Sequence, residues 1–184
     1  LLIVALCLPA TAAASAIKRG AVEITAGGSF NHQTFEEVDG HATSLRAQVG
    51  VLPALGDKVQ LGARLGLNHQ SLDLGGLGEA DGGSLQADAI LRVNLGRSTR
   101  VVPYLELGAG VLVYTGDLEL ERNTITFPQL AVGARMLVHD IASFNLSLGW
   151  VNEKHALGLE DLDSDVLLVQ FGFSIFPKGL DGSR

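Results

Sequence analysis

The sequence predicts an all-β fold, an eight-stranded antiparallel up-and-down barrel that crosses a membrane. Between Val22 and Ile175, eight segments alternate between apolar and polar residues, which is the period of a β-strand. The apolar positions of these segments carry no charge, whereas charges occur at the polar positions. Aromatic residues make up only 5% of the chain and 23 of its 184 residues are Gly. This composition favours a narrow barrel over a soluble core.

The first four predicted strands cover residues 21–31, 44–52, 59–68 and 85–95. Each has one uncharged apolar face, which would contact lipid, and one polar face, which would line the barrel interior. Ile90 is the one apolar residue expected on the inner face of the fourth strand. The four apolar faces comprise Val22, Ile24, Ala26 and Phe30; Leu45, Ala47, Val49 and Val51; Val59, Leu61, Ala63, Leu65 and Leu67; and Leu85, Ala87, Ala89, Leu91, Val93 and Leu95.

The last four predicted strands cover residues 101–114, 129–138, 144–151 and 166–176. Pro103 fits the fifth strand because Pro is tolerated at the start of a strand but not within a central ladder. The four apolar faces comprise Leu105, Leu107, Ala109, Val111 and Val113; Leu130, Val132, Ala134, Met136 and Val138; Phe144, Leu146, Leu148 and Trp150; and Leu167, Val169, Phe171, Phe173 and Ile175. The predicted strands are about 9–11 residues long, which is enough for a tilted strand to cross a bilayer.

The connections between the predicted strands alternate in length. Residues 53–57, 96–99 and 139–142 form short connections, and residues 33–42, 70–83, 115–124 and 152–164 form long ones. An even number of strands places both termini on one side, and outer-membrane barrels keep their short turns in the periplasm. We therefore predict a barrel over residues 17–176 with both termini in the periplasm, followed by a periplasmic tail, residues 177–184.

Residues 1–16 have the pattern of a secretory signal peptide. An apolar stretch is followed by Pro9 and by the small residues 14–16, before charge resumes at Lys18. An initiator Met and a basic first segment are missing, so we expect this signal peptide to be truncated at its N-terminus. Cys7 is the only cysteine and lies within it. The mature chain is therefore predicted to form no disulfide and no thiolate site.

Seven charged residues are predicted to face the barrel interior, and they are the candidate site of this chain. Their charges nearly balance, and an eight-stranded barrel is only wide enough for its own side chains. Arg can hold two carboxylates through its planar fork. We therefore predict a structural, salt-bridged polar plug in place of an ion path or a catalytic site. The seven are Glu23, Arg46, Arg64, Asp88, Arg92, Glu106 and Arg135.

The long connections are acidic, with fourteen Asp and Glu residues in or beside them opposed by Arg122 and Lys154. The densest acidic run spans residues 160–165. Clustered carboxylates suit divalent cations such as calcium or magnesium, but the run lacks the spacing of a known calcium loop. A solvated loop is the simpler interpretation of this run. We also expect that divalent cations can bind at the acidic loops.

No cofactor, metal centre or nucleic-acid partner is predicted. The five histidines, at positions 32, 41, 69, 139 and 155, lack a ligand spacing such as HExxH, and GxSxG is absent. The Gly-rich stretches lack the strand-to-helix setting of a phosphate loop. A net charge of −7 argues against nucleic-acid binding.

Residues Val102–Val111, VPYLELGAGV, resemble the PY-x-x-x-GAG strand of small outer-membrane β-barrel proteins of the OmpX, OmpA-domain and OmpW kind. The resemblance covers the architecture of residues 20–176. It implies an outer-membrane location, a surround of lipid and lipopolysaccharide, and insertion by the barrel assembly machinery. In that family the last strand usually ends on a C-terminal Phe. Here the apolar alternation ends on Ile175, and Phe176 is followed by PKGLDGSR.

The leading functional hypothesis is a non-enzymatic, monomeric outer-membrane barrel with a filled polar lumen, whose acidic loops serve envelope structure, surface binding or adhesion. One alternative is a hydrolase similar to lipid A deacylases. Those barrels carry a His-x-Ser-Asn motif late in the chain, and this chain has His155 without the Ser and Asn, so acyl transfer by that route lacks its nucleophile. Another alternative is a passage for small hydrophobic molecules, which would need an apolar lumen or a gap in the wall.

Overall fold

The computed structural model describes residues 17–35, 40–73, 79–95, 100–116, 124–139, 141–157, 160–177 and 180. They form a closed barrel in which each strand is hydrogen-bonded to the next and the last closes on the first. Every pairing is antiparallel, which confirms the predicted fold class. The strands are β1 (Val22–Phe35), β2 (Gly40–Pro53), β3 (Val59–Asp73), β4 (Glu79–Asn94), β5 (Val101–Gly116), β6 (Thr124–His139), β7 (Ala142–Leu157) and β8 (Glu160–Ile175).

The strands are 14–16 residues long, so the predicted lengths of about 9–11 residues were wrong. The additional residues lie mostly at the end of the barrel away from the termini. There β7 continues to Leu157 and β8 already begins at Glu160, so most of the predicted 152–164 connection is strand. Ladder hydrogen bonds need only two extended backbones. Beyond the hydrocarbon layer nothing requires an apolar outer face, so the alternation ends before the strand does.

The two faces of the wall differ as predicted. Outward side chains are apolar and exposed; Leu67 is 66% and Phe173 65% exposed. Inward side chains are mostly polar and buried. In water so much exposed apolar surface would mark an interface; in a bilayer it is the contact with hydrocarbon. The described residues include no helix that could cross a membrane.

A β-bulge interrupts β6 at Phe127–Pro128. On both sides of β6 the register shifts between Thr126 and Gln129, so one additional residue is accommodated there. Pro128 has no N–H to donate to the ladder, and bulges are among the few positions where a strand tolerates Pro. The bulge also explains why the prediction started this strand at Gln129: the period of two is broken just before it.

The end of the barrel that carries the termini is closed by an apolar cap. Ile17, Ala21, Ala54 and Phe176 are buried together, and Leu180 packs against them. The Lys18 N–H donates to the Leu180 carbonyl at 2.9 Å. Phe176 points inward because it follows the outward Ile175 at the end of β8. Part of the predicted tail 177–184 therefore packs on the barrel end; its residues 178–179 and 181–184, and the predicted signal peptide, lie outside the described residues.

Candidate functional site

All seven predicted interior charges are buried. Glu23 on β1 and Arg135 on β6 are 0% exposed, and the other five are at most 8% exposed. Arg46 on β2 is paired in register with Ser29 and Asn68. The six remaining groups come from β1, β3, β4, β5 and β6 and meet in the lumen.

These six groups form a string of alternating charges. Its order is Asp88, Arg64, Glu106, Arg92, Glu23 and Arg135. The Nε of Arg64 lies 3.2 Å from Oδ2 of Asp88, and its Nη1 lies 3.0 Å from Oε1 of Glu106. The Nη2 of Arg92 lies 2.8 Å from Oε2 of Glu106, and its Nη1 lies 2.9 Å from Oε1 of Glu23. The string ends where Nη2 of Arg135 lies 2.6 Å from Oε2 of Glu23.

The string joins strands that are not neighbours. Two of its links, Arg64 to Asp88 and Arg92 to Glu106, are cross-strand pairs at one register position. The other three join strands that are not neighbours: Arg64 on β3 binds Glu106 on β5, and Glu23 on β1 binds Arg92 on β4 and Arg135 on β6. An ion pair between facing walls fills the cross-section of a narrow barrel. The string therefore acts as a plug and as a brace.

Uncharged side chains saturate the carboxylates, and the sequence did not reveal this part of the site. Ser174 donates to Oε1 of Glu23 at 2.6 Å, and Gln60 donates to Oε2 at 2.8 Å. Gln86 and Gln129 each donate to Oδ1 of Asp88 at 2.7 Å. Alternation placed these residues on the inner face, but their partners depend on register and on contacts across the lumen. A buried charge is tolerated when it is paired and hydrogen-bonded in this way.

Two aromatic rings support the arginines on the side of the termini. The Arg92 guanidinium carbon lies 4.6 Å from the centroid of the Tyr104 ring. The Arg135 guanidinium carbon lies 5.9 Å from the same ring and 5.5 Å from that of Phe176. These are cation–π distances. The plug thus continues directly into the apolar cap, and Phe176 belongs to both.

The GAG segment of β5 provides the space in which the plug sits. A Cβ on Gly110 would collide with the carboxylate of Asp88, and one on Gly108 would lie 2.9 Å from Cδ1 of Ile90 and 3.2 Å from Oε1 of Gln129. A larger residue at either position would displace the plug. The GAG motif, on which the family resemblance rests, is therefore needed to make room for the charge string. The same strand also contributes Glu106 to that string.

The cavities beside the plug are small among the residues that the structure describes. One cavity of about 30 Å³, lined among others by Arg64, Arg92 and Tyr104, lies in the lumen, and a second of about 10 Å³ lies beside Gln129. These volumes hold one or two water molecules. All six oxygens of the three carboxylates in the string accept hydrogen bonds. This arrangement can hold facing walls together and block passage.

The other sequence-derived candidates are only partly covered by the described residues. His41 and His139 are exposed at strand ends and His69 is exposed within β3. His41 Nδ1 lies 3.9 Å from Asp73 Oδ2. No group of three or more His, Cys, Asp or Glu residues in metal-binding proximity occurs in the part of the chain that the structure describes. The side chains of His32, His155 and the acidic run 160–165 lie outside it, so the cation and deacylase hypotheses stay predictions.

Comparison with known proteins gives a family and a fold. The family described as outer membrane protein beta-barrel domain matches residues 1–174. The outer membrane protein OprG from Pseudomonas aeruginosa is similar in structure, with a TM-score of 0.59 and 16% identity over 86% of this chain and 96% of that one. Neisserial surface protein A is also similar, with a TM-score of 0.60 and 10% identity over 85% and 97%. No curated protein sequence matches the chain.

Proposed function

The chain belongs to the outer membrane protein beta-barrel domain family, and we propose that it serves there as a closed, non-enzymatic wall element with an acidic surface. The observation that carries the proposal is the string of six charges, which spans the lumen and has beside it, among the described residues, cavities of about 30 and 10 Å³. A barrel filled in this way suits envelope structure or surface binding better than transport. Its function would then lie in the acidic connections, where loops generally carry function.

The proposal includes an orientation and a set of partners. Both termini and the apolar cap face the periplasm, and the acidic connections face outwards. Lipid and lipopolysaccharide surround the wall, the barrel assembly machinery inserts it, and the protein acts as a monomer. Divalent cations would bridge the acidic connections to the phosphates of lipopolysaccharide. Lys18, Arg19, Lys58 and Arg100 are exposed at the opposite end, together with Asp57.

Conductance in a planar bilayer tests the closed lumen. The unmodified protein should give no steady current. Glu106→Ala should give a measurable current, because Glu106 joins Arg64 to Arg92 in the middle of the plug. Leu107→Ala is the matched control, since Leu107 is the next residue in the chain and faces outward. A steady ohmic current from the unmodified protein would contradict the proposal.

Labelling of intact cells tests the orientation. The mature chain is predicted to lack cysteine, so Glu37→Cys, in the connection between β1 and β2, and Asp57→Cys, in that between β2 and β3, each introduce one thiol. A membrane-impermeant maleimide should label the first variant in intact cells. It should label the second only after the outer membrane is permeabilised. The reverse labelling pattern would mean that the barrel is inserted in the opposite orientation.

A further inference from the structure

The two mouths of the lumen are closed to different degrees. On the side of the acidic connections, the inward side chains of Gln48 and Gln170 are partly exposed. On the side of the termini, the inward side chains of Ser143 and Ser174 are each 1% exposed. Arg135 is the last group of the charge string on that side and is itself 0% exposed, so another part of the chain must cover it.

The N-terminal turn, residues 17–21, lies across this mouth just before β1 begins. Gly20 has a φ of +91° there, a left-handed conformation that Gly adopts without steric cost. Its N–H donates to the Ala54 carbonyl, in the connection between β2 and β3, at 3.0 Å. The Lys18 N–H donates to the carbonyl of Leu180, beyond the end of β8, at 2.9 Å. The N-terminal turn therefore bridges two segments that lie on different sides of the mouth.

The apolar side chains of this region form a cover over the arginine end of the string. Ile17 is buried against Phe176, and Leu180 packs on both. The Phe176 ring lies 5.5 Å from the guanidinium carbon of Arg135. The Nη1 of Arg135 is buried without a hydrogen-bond partner in the part of the chain that the structure describes. A buried donor without an acceptor is costly, and the cation–π contact with the ring offsets part of that cost.

We propose that the N-terminal turn is a lid, which closes the lumen at the end of the termini as a second barrier behind the charge string. The lid lies outside the strand ladders, and Leu180 at its edge is only half-buried. It can therefore open locally while the barrel stays paired, as weakly packed segments do. The proposal holds for either orientation of the barrel, because it concerns only the end that carries the termini.

Cysteine modification on the two sides of the string tests the lid. In a Cys7→Ser chain, Ser143→Cys places a thiol beneath the lid, because Ser143 is paired with Ser174, two residues before Phe176. Ser84→Cys is the matched control on the acidic side, where Ser84 is 4% exposed. Each variant is folded in detergent micelles, and its reaction with iodoacetamide, a small neutral reagent, is followed by mass spectrometry.

Leu180→Asp should hold the lid open, because it places a carboxylate against the apolar cap. The reaction rate of Ser143→Cys should rise about tenfold, as for a moderate shift of a local opening equilibrium. The rate of Ser84→Cys should stay unchanged. Leu180→Met keeps the apolar contact and should leave both rates as they are. Folding of every variant is checked by the heat-dependent shift of its band on unboiled gels.

The outcomes separate a lid from a merely structural cap. An equal rise at both cysteines would overturn the proposal, because Leu180→Asp would then have loosened the whole barrel. An unchanged rate at Ser143→Cys would also overturn it, because the cover would then lie elsewhere. Single-channel recording gives a second readout: the current of Glu106→Ala should be interrupted by closures, and adding Leu180→Asp should remove them. A current that Leu180→Asp leaves unaltered would contradict a lid that obstructs the lumen.

Discussion

The inner and outer faces of the same strands obey different rules, and β4 shows the difference at adjacent residues. Leu91 points into lipid and is 36% exposed; Arg92 points inward, is 4% exposed, and binds Glu23 and Glu106. The hydrocarbon around Leu91 is a liquid that adapts to any apolar shape. The plug around Arg92 is a fixed set of donors and acceptors. The outer face is therefore specified by polarity, and the inner face by geometry.

The largest test of this comparison is Glu23→Leu. The change leaves Arg135 and one side of Arg92 without their buried acceptor, and breaking a buried ion pair in this way costs about 3–5 kcal/mol. The free energy of unfolding, measured by urea titration in detergent micelles, should fall by that amount. The double variant Glu23→Leu/Arg135→Leu should lose clearly less free energy of unfolding than the sum of the losses in the two single variants, as expected of coupled partners. If the losses in the two single variants simply add, the ion pairs do not hold the facing walls together.

On the outer face, a substitution that adds a charge should lower the stability, whereas one that changes only the shape of the side chain should not. Leu65→Arg places a cation on the lipid side of β3, where Leu65 is 56% exposed, and should lower the unfolding free energy by up to about 2–4 kcal/mol. Leu65→Ile keeps the polarity and should change it by less than about 0.5 kcal/mol, as for an ordinary surface substitution. The same titration measures both. A tolerated Arg at this position would mean that the β3 wall does not face hydrocarbon.

Two glycines on the inner face give the smallest and most local test. In Gly133→Ala the new Cβ would lie 2.5 Å from the Tyr104 ring and 2.7 Å from Cβ of Ser147, so the variant should lose about 1–3 kcal/mol through overpacking. In Gly149→Ala the nearest atom is 3.6 Å away, and the change should be neutral within about 0.5 kcal/mol. Thermal unfolding of the two variants compares them. Equal midpoints would show that the inner face is looser than its contacts indicate.

Period-two alternation predicted the strand number, the strand order, the two faces and the inward position of all seven charges. It could not predict the outer ends of β7 and β8, because polar residues outside the membrane can form a paired strand as readily as a turn. It also missed the bulge at Phe127–Pro128, where the period itself breaks. The partners of Glu23 come from strands far apart in sequence. Such contacts across a lumen depend on curvature and register and leave no local pattern.

The closure between β1 and β8 is shorter than the other pairings. It runs only from the Ile24–Ile175 pair to the Phe30–Val169 pair, although β1 continues to Phe35 and β8 begins at Glu160. The hairpins β1–β2 and β7–β8 are each paired along their full length, whereas among the described residues β1 and β8 are not paired with one another beyond Phe30. This closure joins residues about as far apart in the chain as any, so its formation has the largest loop-closure entropy cost. It also has the fewest paired residues to offset that cost. The barrel should therefore be completed there last, and amide hydrogen exchange should begin there.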